Sequence, residues 1–528
     1  MDSILYSYNN YYIDFRNLHK KIYDRLLTNL KDKIKCLVIS NDYSVPYFAH
    51  ISNFLEQYNL SEFIRLEKLS LIDIDEEYFL HILPNITRFR KLKCLKLDRL
   101  PSYTCWRFKK ILSRLIRLDL PDAAFFDQLS EEYIQNLKCL SVVRCTFEQL
   151  QHLFNIVPRK TLQAFAITDG VLSTIGDNCW PQFARLPYKL KRLNLQIDFQ
   201  CITLNELEEV LSQLPRLTHL DIKGAGDIDL ANGQQWEDFL HATYGNQLIE
   251  FDFCFTIWSY TSMDTNQIVE QFSRPYWLNR IRPWYISYND RGLIYTVPRY
   301  ASTCSRSDTI LTCQTTTKDK RLFSNTINQL IIHNPTIISE YYFNYVDFLR
   351  ISNDAIDSTT DNISSIVNLS RIKQFEISTT IPYGLLNRMD NLYHLSLINI
   401  NSLVLSLHKV NWHLKFEQIR VLDIIYNSRN HRYTDVRPEV LCPMFPNVMR
   451  LSMNGMAIRR AYISRIIDGF RNMIYGKFQT NWNKEQKERT RKDLQRETCR
   501  LISNNDETNF SFHFEYIYLH LFIWDTPQ

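Results

Sequence analysis

The segments LKRLNL (residues 190–195) and LTHLDI (residues 217–222) share the pattern apolar-x-x-apolar-x-apolar, in which x is polar. The same pattern recurs along nearly the whole chain. From Leu92 to Leu248 it advances in six steps with a mean length of 26 residues. A length of 528 residues alone would suggest three or four domains. Self-similarity at a fixed period is instead typical of a repeat architecture, in which each unit buries its apolar side chains against its neighbours.

Each repeat reads as a short strand followed by a helix. Alternation of apolar and polar residues at the end of the pattern predicts a strand with one buried side. Between strands, the segment TLNELEEVLSQLP (residues 203–215) places Leu204, Leu207, Val210 and Leu211 on one side of a helix. We therefore expect the leucines of the pattern to be core residues rather than site residues.

This pattern and period resemble the leucine-rich-repeat family over most of the chain. The resemblance implies an α/β horseshoe solenoid, with parallel strands on the concave face and helices on the convex face. The polar residues between the leucines would then point outward on the concave wall.

Departures from the period suggest six regions. A hairpin is predicted from two strand-like segments, WYISY (residues 284–288) and LIYTV (residues 293–297). It is followed by a Ser/Thr-rich loop, and a second irregular stretch is rich in charge. We predict the following regions: an N-terminal helical cap (1–33), leucine-rich repeats (34–254), an insertion with the hairpin and the Ser/Thr-rich loop (255–320), further repeats (321–458), a basic helical insertion (459–509) and a C-terminal capping strand (510–528).

The positive charge is concentrated in one segment. The whole chain has a formal net charge of +5. Residues 459–500 contain twelve Lys and Arg against five Asp and Glu, so this segment alone carries +7 and the remainder about −2. A basic helix of this kind could neutralise phosphates, which keeps open an RNA- or anion-binding scaffold on 459–500 as the alternative function. Its acidic residues interleave at helical spacing, as Glu485 does with Arg489, which favours a solvated helix over nucleic-acid binding.

Composition and motifs argue against catalysis. The chain has only 11 glycines, whereas phosphate-cradling loops need them, and it contains no GxSxG, P-loop or HExxH motif. His408 and His413, like His513 and His520, lack neighbouring cysteine pairs, so we predict no metal site. We predict a protein that is not an enzyme and has no cofactor.

The twelve cysteines are scattered without a CxxC pair, and the chain opens with Asp2 and several tyrosines rather than a basic and apolar signal. We expect no signal peptide, no membrane span and reduced thiols. The predicted localisation is cytoplasmic or nuclear.

The outward positions of the strands supply the candidate site. A concave ladder of mixed polar side chains is a usual protein-binding surface, and three carboxylates on neighbouring strands would suit a basic ligand. We predict a protein ligand on this face, bound by Lys96, Asp119, Arg192, His219, Asp221, Lys223, Glu250, Asp252, Glu376, His394, Asp423 and Arg450.

Long, irregular repeats without enzyme motifs also look like the F-box/leucine-rich-repeat family. In that family the repeats select a substrate, and an N-terminal F-box docks on the adaptor of a cullin-based ubiquitin ligase. Here Phe15, Leu18, Ile22, Leu26 and Leu30 form a helical pattern that resembles the segment following an F-box, but no LPxEI-like helix precedes it. The resemblance implies a substrate receptor for ubiquitin ligation, with the adaptor as partner if an F-box is supplied.

Overall fold

A computed structural model of the chain gives its fold. The residues that the structure describes are 11–14, 31–40, 54, 58, 62–74, 76–99, 109–172, 186–258, 265–279, 283–289, 292–297, 299–300, 314–332, 341–351, 360–378, 383–398, 415–425, 438–454, 458, 460–480, 486, 490, 493–494, 496, 498, 510–515 and 518–523.

The chain divides into two compact units. The first comprises Met1–Thr296 and Gln314–Thr316, and the second comprises Val297–Cys313 and Thr317–Gln528. Each unit is built on one large sheet, so each is described by itself.

Within the described residues, the sheet of the first unit has thirteen strands, and the first ten lie side by side in chain order. All nine pairings from β1 to β10 are parallel. The strands are β1 Tyr11–Asp14, β2 Ile34–Ser40, β3 Lys68–Ile72, β4 Cys94–Leu97, β5 Arg117–Asp122, β6 Cys139–Thr146, β7 Ala164–Leu172, β8 Arg192–Ile202, β9 His219–Gly226, β10 Glu250–Ile257, β11 Tyr285–Tyr288, β12 Leu293–Val297 and β13 Gln314–Thr315.

The sheet of the second unit repeats this design. Its strands β14 to β20 are parallel and follow chain order, and the sheet then ends with β22 and β21. The strands are β14 Gln329–Ile332, β15 Phe348–Ile351, β16 Gln374–Ile377, β17 His394–Ile398, β18 Val421–Ile425, β19 Arg450–Asn454, β20 Tyr475–Gln479, β21 Phe510–Glu515 and β22 Tyr518–Ile523.

Helices connect many of these strands, which makes both units α/β. Their bounds in the first unit are α1 Glu76–Ile86, α2 Lys109–Leu112, α3 Phe147–Ile156, α4 Leu204–Ser212, α5 Gly233–Tyr244, α6 Thr265–Gln271 and α7 Pro275–Leu278. In the second unit they are α8 Lys320–Ser324, α9 Thr360–Ile366, α10 Tyr383–Leu386, α11 Pro438–Met444 and α12 Arg460–Gly469. Short 3-10 helices lie at Lys31–Lys33, Ala123–Gln128, Glu131–Tyr133, Ile228–Ala231 and Leu369–Arg371.

The helix predicted from TLNELEEVLSQLP is α4. Thr203 accepts a hydrogen bond from the Glu206 backbone N–H while the Glu206 side chain accepts one from the Thr203 N–H, which satisfies two donors that a helix start leaves open. Leu204, Leu207 and Leu211 are buried in the same apolar core as the strand leucines. The helix therefore packs its apolar side against the core, as the spacing of its apolar residues predicts.

The apolar positions of the pattern are the core of each sheet. Leu193 and Leu195 on β8 pair in register with Leu220 and Ile222 on β9, and all four are buried. Because successive side chains of a strand point to opposite sides, this register leaves the residues between the leucines on the other side of the sheet.

A shared carbonyl joins each repeat to the next. The Lys191 carbonyl, just before β8, accepts hydrogen bonds from the N–H groups of Thr218 (2.9 Å) and His219 (3.0 Å) at the start of β9. The same arrangement occurs at Lys93, Ile116, Lys138, Gln163 and Thr218 in the first unit, and at Asn328, Asp347, Lys373, Tyr393, Arg420 and Met449 in the second. Both lone pairs of one carbonyl are thus used, and the register of the next strand is set at its first residue.

The first sheet ends in a hairpin at the place where the sequence predicts one. Leu293 donates its N–H to the Asn289 side chain at 2.9 Å, and Gly292 has a φ of 75°, which favours glycine. The strand β12 pairs antiparallel with β10 and β13 pairs antiparallel with β11. The last residues of the predicted Ser/Thr-rich loop form the strand β13. Residues 301–313 of that loop lie outside the described part.

An aromatic cluster fills the core at this end of the first unit. Trp277 is fully buried, with its ring centre 4.8 Å from that of Phe272 and 6.2 Å from that of Phe251. Trp284, at the start of the hairpin, lies 5.5 Å from Phe251. These rings cover the last parallel strand, which would otherwise expose core.

The chain termini differ from the prediction. Residues 1–33 are predicted as a helical cap, but Tyr11–Asp14 is the strand β1, paired parallel with β2, and residues 15–30 lie outside the described part. At the other end, residues 510–528 are predicted as one capping strand. The structure instead has the antiparallel pair β21 and β22, with β22 antiparallel to β20.

The predicted basic insertion, residues 459–509, contains a further repeat. The helix α12 and the strand β20 lie inside it, and β20 continues the parallel sheet after β19. The pattern is Met473-x-x-Gly476-x-Phe478, and glycine replaces the central leucine. Phe478 and Met473 are fully buried, and a Cβ on Gly476 would lie 2.6 Å from the Phe478 ring. The ring of Phe478 therefore takes the space that a leucine fills in the other repeats.

Replacing Gly476 with leucine restores the consensus pattern, yet we expect it to destabilise the second unit. The new side chain meets the buried Phe478 ring, and overpacking of this kind costs about 1 to 3 kcal/mol. The midpoint of urea denaturation measures the effect. Leu451→Met, at the equivalent position of β19, conserves volume and is the control. A midpoint for Gly476→Leu at or above that of the wild type would contradict this packing.

Candidate functional site

The candidate site lies on the side of the first sheet opposite the leucines. Two rows of side chains cross β3 to β10 there, and we call them together the first-sheet face. The first row is Lys68, Cys94, Arg117, Cys139, Ala164, Arg192, His219 and Glu250, and the second is Ser70, Lys96, Asp119, Ser141, Ala166, Asn194, Asp221 and Asp252. Each of these side chains is exposed or half-buried.

The twelve residues predicted from the sequence are divided between the sheets of the two units. Eight lie on the first sheet: Lys96, Asp119, Arg192, His219, Asp221, Lys223, Glu250 and Asp252. Four lie on the sheet of the second unit: Glu376, His394, Asp423 and Arg450. All twelve lie beside buried apolar residues of their strands, and they are divided between the two units.

The carboxylates of the first-sheet face are gathered at β9 and β10. Asp221 and Asp252 are side by side in register, and Glu250 lies next to His219, whose Nε2 is 3.6 Å from a Glu250 carboxylate oxygen. Asp252 accepts a hydrogen bond from the Thr296 hydroxyl of β12 at 3.0 Å. Sequence reasoning predicted the acidic cluster but missed Thr296, because nothing in the sequence shows that the hairpin strand pairs with β10.

The cations of the same face are gathered at β3 to β8. Lys68, Lys96, Arg117 and Arg192 are exposed, and of these Arg117 is paired with Asp119 at 3.0 Å. Neither Lys96 nor Arg192 makes an ion pair with any described residue. The first-sheet face is therefore segregated by charge, with cations at one end and carboxylates at the other.

The residue Tyr12 extends the basic end. It pairs in register with Cys36, is 69% exposed, and its ring centre lies 5.8 Å from Lys68 Nζ. The prediction missed it because residues 1–33 were assigned to a helical cap.

Between the cations of β3 to β5 and Arg192 on β8, the floor of the face is made of small side chains. They are Cys139 and Ser141 on β6 and Ala164 and Ala166 on β7. A bound chain could approach the sheet closely here while its side chains reach the charges on either side.

Among the described residues, the equivalent face of the second sheet contains two pairs of opposite charges. Arg350 Nε lies 3.1 Å from Glu376 on the neighbouring strand, and His394 Nε2 lies 2.7 Å from Asp423. The Ser396 hydroxyl adds a contact of 3.4 Å to Asp423. Arg450 on β19 is exposed on the same face and, like Lys96 and Arg192, makes no ion pair with a described residue.

The group of Ser396, His394 and Asp423 does not have the geometry of a nucleophile with its base. Both Ser396 and Asp423 approach the same nitrogen, His394 Nε2, at 3.4 Å and 2.7 Å. In a catalytic triad the carboxylate instead holds the other ring nitrogen and leaves this one for the hydroxyl. The three side chains form a surface hydrogen-bond cluster.

Burial acts against the activation of three of the described thiols. Burial raises the pKa of Cys145 and that of Cys442 to about 12, and it also raises the pKa of Cys94 on the first-sheet face. Nucleophilic cysteines need the opposite shift. In the part of the chain that the structure describes, no group of three or more His, Cys, Asp or Glu side chains is placed to hold a metal ion.

The basic segment 459–500 is partly packed against the second unit. Thr490, Leu494 and Thr498 are buried at helical spacing, and the hydroxyl of Thr498 donates to the Leu494 carbonyl at 2.7 Å. Arg465 lies 3.1 Å from Glu439. Most of its other basic side chains lie outside the described residues.

No helix in the described ranges combines the length and the apolar character needed to cross a membrane. The fold class defined so far is an α/β protein with two large, mostly parallel sheets. No model of a known protein family matches the chain, and no curated protein matches it either.

The pairing on the second face yields a prediction. Replacing Arg350 with Glu places two carboxylates side by side, and we expect it to lower the free energy of unfolding by about 1 kcal/mol. Exchanging both residues, Arg350→Glu with Glu376→Arg, should recover most of this loss. Urea denaturation of the two variants measures the coupling.

The control is the pair Arg388 and Asp361, which lie 3.3 Å apart and are both exposed. Replacing Arg388 with Glu should lower the free energy of unfolding by less than about 0.5 kcal/mol. Equal effects at the two pairs would show that the second face is no better paired than ordinary surface.

Proposed function

We propose that the chain is a leucine-rich-repeat solenoid that recognises another protein through the first-sheet face and catalyses no reaction. The shared carbonyl supports the repeat assignment, because it recurs at the same position of successive repeats in both units. The parallel order of the strands and the period of about 26 residues support it as well.

The main support for the proposal is that two exposed cations on the first-sheet face make no ion pair with a described residue. Lys96 and Arg192 are exposed on a wide, regular surface, and neither is neutralised by a described neighbour. Charged groups held on rigid strands steer a partner and fix its orientation, because the strands lose little freedom on binding. Among its described residues, the second sheet exposes one such cation, Arg450, on its equivalent face. It pairs Arg350 with Glu376 and His394 with Asp423, which makes it less suited to this role.

A more specific version follows from the F-box resemblance. In it the chain selects substrates for a ubiquitin ligase, and a cullin adaptor is a second partner. The helical pattern from Phe15 to Leu30 that carries this resemblance lies outside the described residues. The other class of function, an RNA- or anion-binding scaffold, would use the basic residues of 459–500.

A photo-crosslinking experiment tests the proposal. The crosslinking amino acid p-benzoylphenylalanine is placed at Ser141 and, separately, at Ala166, which are neighbours on the small-residue floor. Glu209, exposed on α4, is the control position. We expect the same protein to be crosslinked from both face positions in a lysate of the source cells, and not from Glu209.

The other possible results contradict the proposal or favour one of the alternative functions. Absence of a crosslink at the face, or equal crosslinking at Glu209, would contradict recognition through this surface. Loss of all partners after nuclease treatment would favour the nucleic-acid alternative. Recovery of the cullin adaptor from the tagged chain would support the ubiquitin-ligase version, and its absence beside a crosslinked partner would leave a free-standing recognition protein.

A further inference from the structure

We propose that the ligand of the first-sheet face is an extended peptide segment with acidic residues at one end and basic residues at the other. This inference rests on the proposed function and specifies its ligand. It follows from the way the charges of the face are distributed, from its length and from the size of the side chains along it.

The two rows of the face contain equal numbers of fixed charges of each sign, but the signs are separated. Strands β3 to β8 carry Lys68, Lys96, Arg117 and Arg192 against the single carboxylate of Asp119. Strands β9 and β10 carry Asp221, Glu250 and Asp252. In these two rows the basic part thus has a formal charge of +3 and the acidic part −3. Beyond the rows, Lys223 on β9, Asp122 on β5 and Asp169 on β7 depart from this division, and Asp169 is paired with Arg144.

The carboxylates of β9 and β10 lie close enough to one another to favour a bound cation. Asp221 and Asp252 are neighbours in register, and like charges in such positions repel each other. A ligand cation placed over these strands relieves that repulsion, while ligand carboxylates pair with Lys96 and Arg192. The complementary ligand therefore carries both signs in the reverse arrangement.

The dimensions fit an extended peptide. From β3 to β10 there are seven steps between neighbouring strands, which at about 4.8 Å each give about 34 Å. About ten residues of extended chain cover this distance. The floor of Cys139, Ser141, Ala164 and Ala166 at the middle leaves room for the backbone of such a segment.

The same charges argue against nucleic acid on this face. A nucleic-acid strand carries a negative phosphate at every nucleotide, so one that follows the rows would meet three carboxylates at β9 and β10. An all-acidic peptide would meet the same repulsion. Only a ligand with segregated charge satisfies the whole face.

The test uses a synthetic peptide with four Glu, a Ser-Gly-Ser-Gly spacer and four Lys, labelled with fluorescein and followed by fluorescence anisotropy at low salt. The peptide with the two blocks exchanged is measured as well, because the structure does not fix the direction of the bound chain. The control peptide has the same composition with Glu and Lys alternating. We expect one block peptide to bind at least about tenfold more tightly than the alternating one, and to be released in 1 M NaCl, where the Debye length is about 3 Å.

Variants assign the binding to the face. The double variant Lys96→Glu/Arg192→Glu and the double variant Asp221→Lys/Asp252→Lys should each weaken binding by about tenfold. The charge-matched control Lys110→Glu/Lys160→Glu changes exposed lysines away from the face and should leave binding within about twofold. Circular dichroism and the urea midpoint identify a variant that fails to fold, and Lys96→Gln/Arg192→Gln then replaces the charge reversal.

The proposal is overturned if neither block peptide binds better than the alternating peptide, or if the control variant loses binding equally. It is also overturned if a twelve-nucleotide oligothymidine competes for the face. A face crosslink at Ser141 without preference for block peptides would leave protein recognition in place and reject the bipolar ligand. If the crosslink at Ser141 also fails, both protein recognition through this face and the bipolar ligand are rejected.

Discussion

The structure depends on one repeated hydrogen-bond arrangement, in which the carbonyl before a strand accepts two N–H groups from the start of the next repeat. At Lys191 the two distances are 2.9 Å and 3.0 Å, and equivalent pairs recur through both sheets. Two bonds to one acceptor fix where the next strand begins. A shift by one residue would break both bonds and turn the leucines to the wrong side of the sheet.

Register links the core to the surface. Because the leucines of neighbouring strands are in register, the residues between them also form continuous rows across the sheet. The charges of these residues therefore form a surface pattern that extends over tens of ångströms. On the first sheet the pattern separates cations from carboxylates, with Lys96 and Arg192 left without ion partners among the described residues. On the second sheet Arg350 with Glu376, and His394 with Asp423, satisfy each other. Two faces built alike thus differ in how their charges are arranged.

Sequence periodicity predicts those features that depend on neighbouring repeats alone. The strands and the helix α4 follow from apolar spacing, and the outward direction of all twelve predicted site residues follows from alternation. The pattern failed at Gly476, because there the space of a missing leucine is filled by Phe478, two residues away. It also failed at β1, where residues of a predicted helical cap extend the sheet, and at the C-terminal hairpin, since alternation does not distinguish an antiparallel strand from a parallel one. The division of the candidate residues between two units, and the contact of Thr296 with Asp252, depend on contacts distant in sequence and leave no periodic signal.

The native cysteines allow the most direct test of the central claim, that the residues between the leucines form accessible rows. Cys36, Cys94 and Cys139 lie at such positions and are half-buried, with the pKa of Cys94 raised by burial, whereas Cys145 and Cys442 are buried with thiol pKa values raised to about 12. The measurement is the rate of alkylation of each native thiol by iodoacetamide at pH 8, followed by peptide mass spectrometry. The account predicts that Cys36, Cys94 and Cys139 react at least about tenfold faster than Cys145 and Cys442. Similar rates for the two groups, or protection of Cys94 and Cys139, would contradict it.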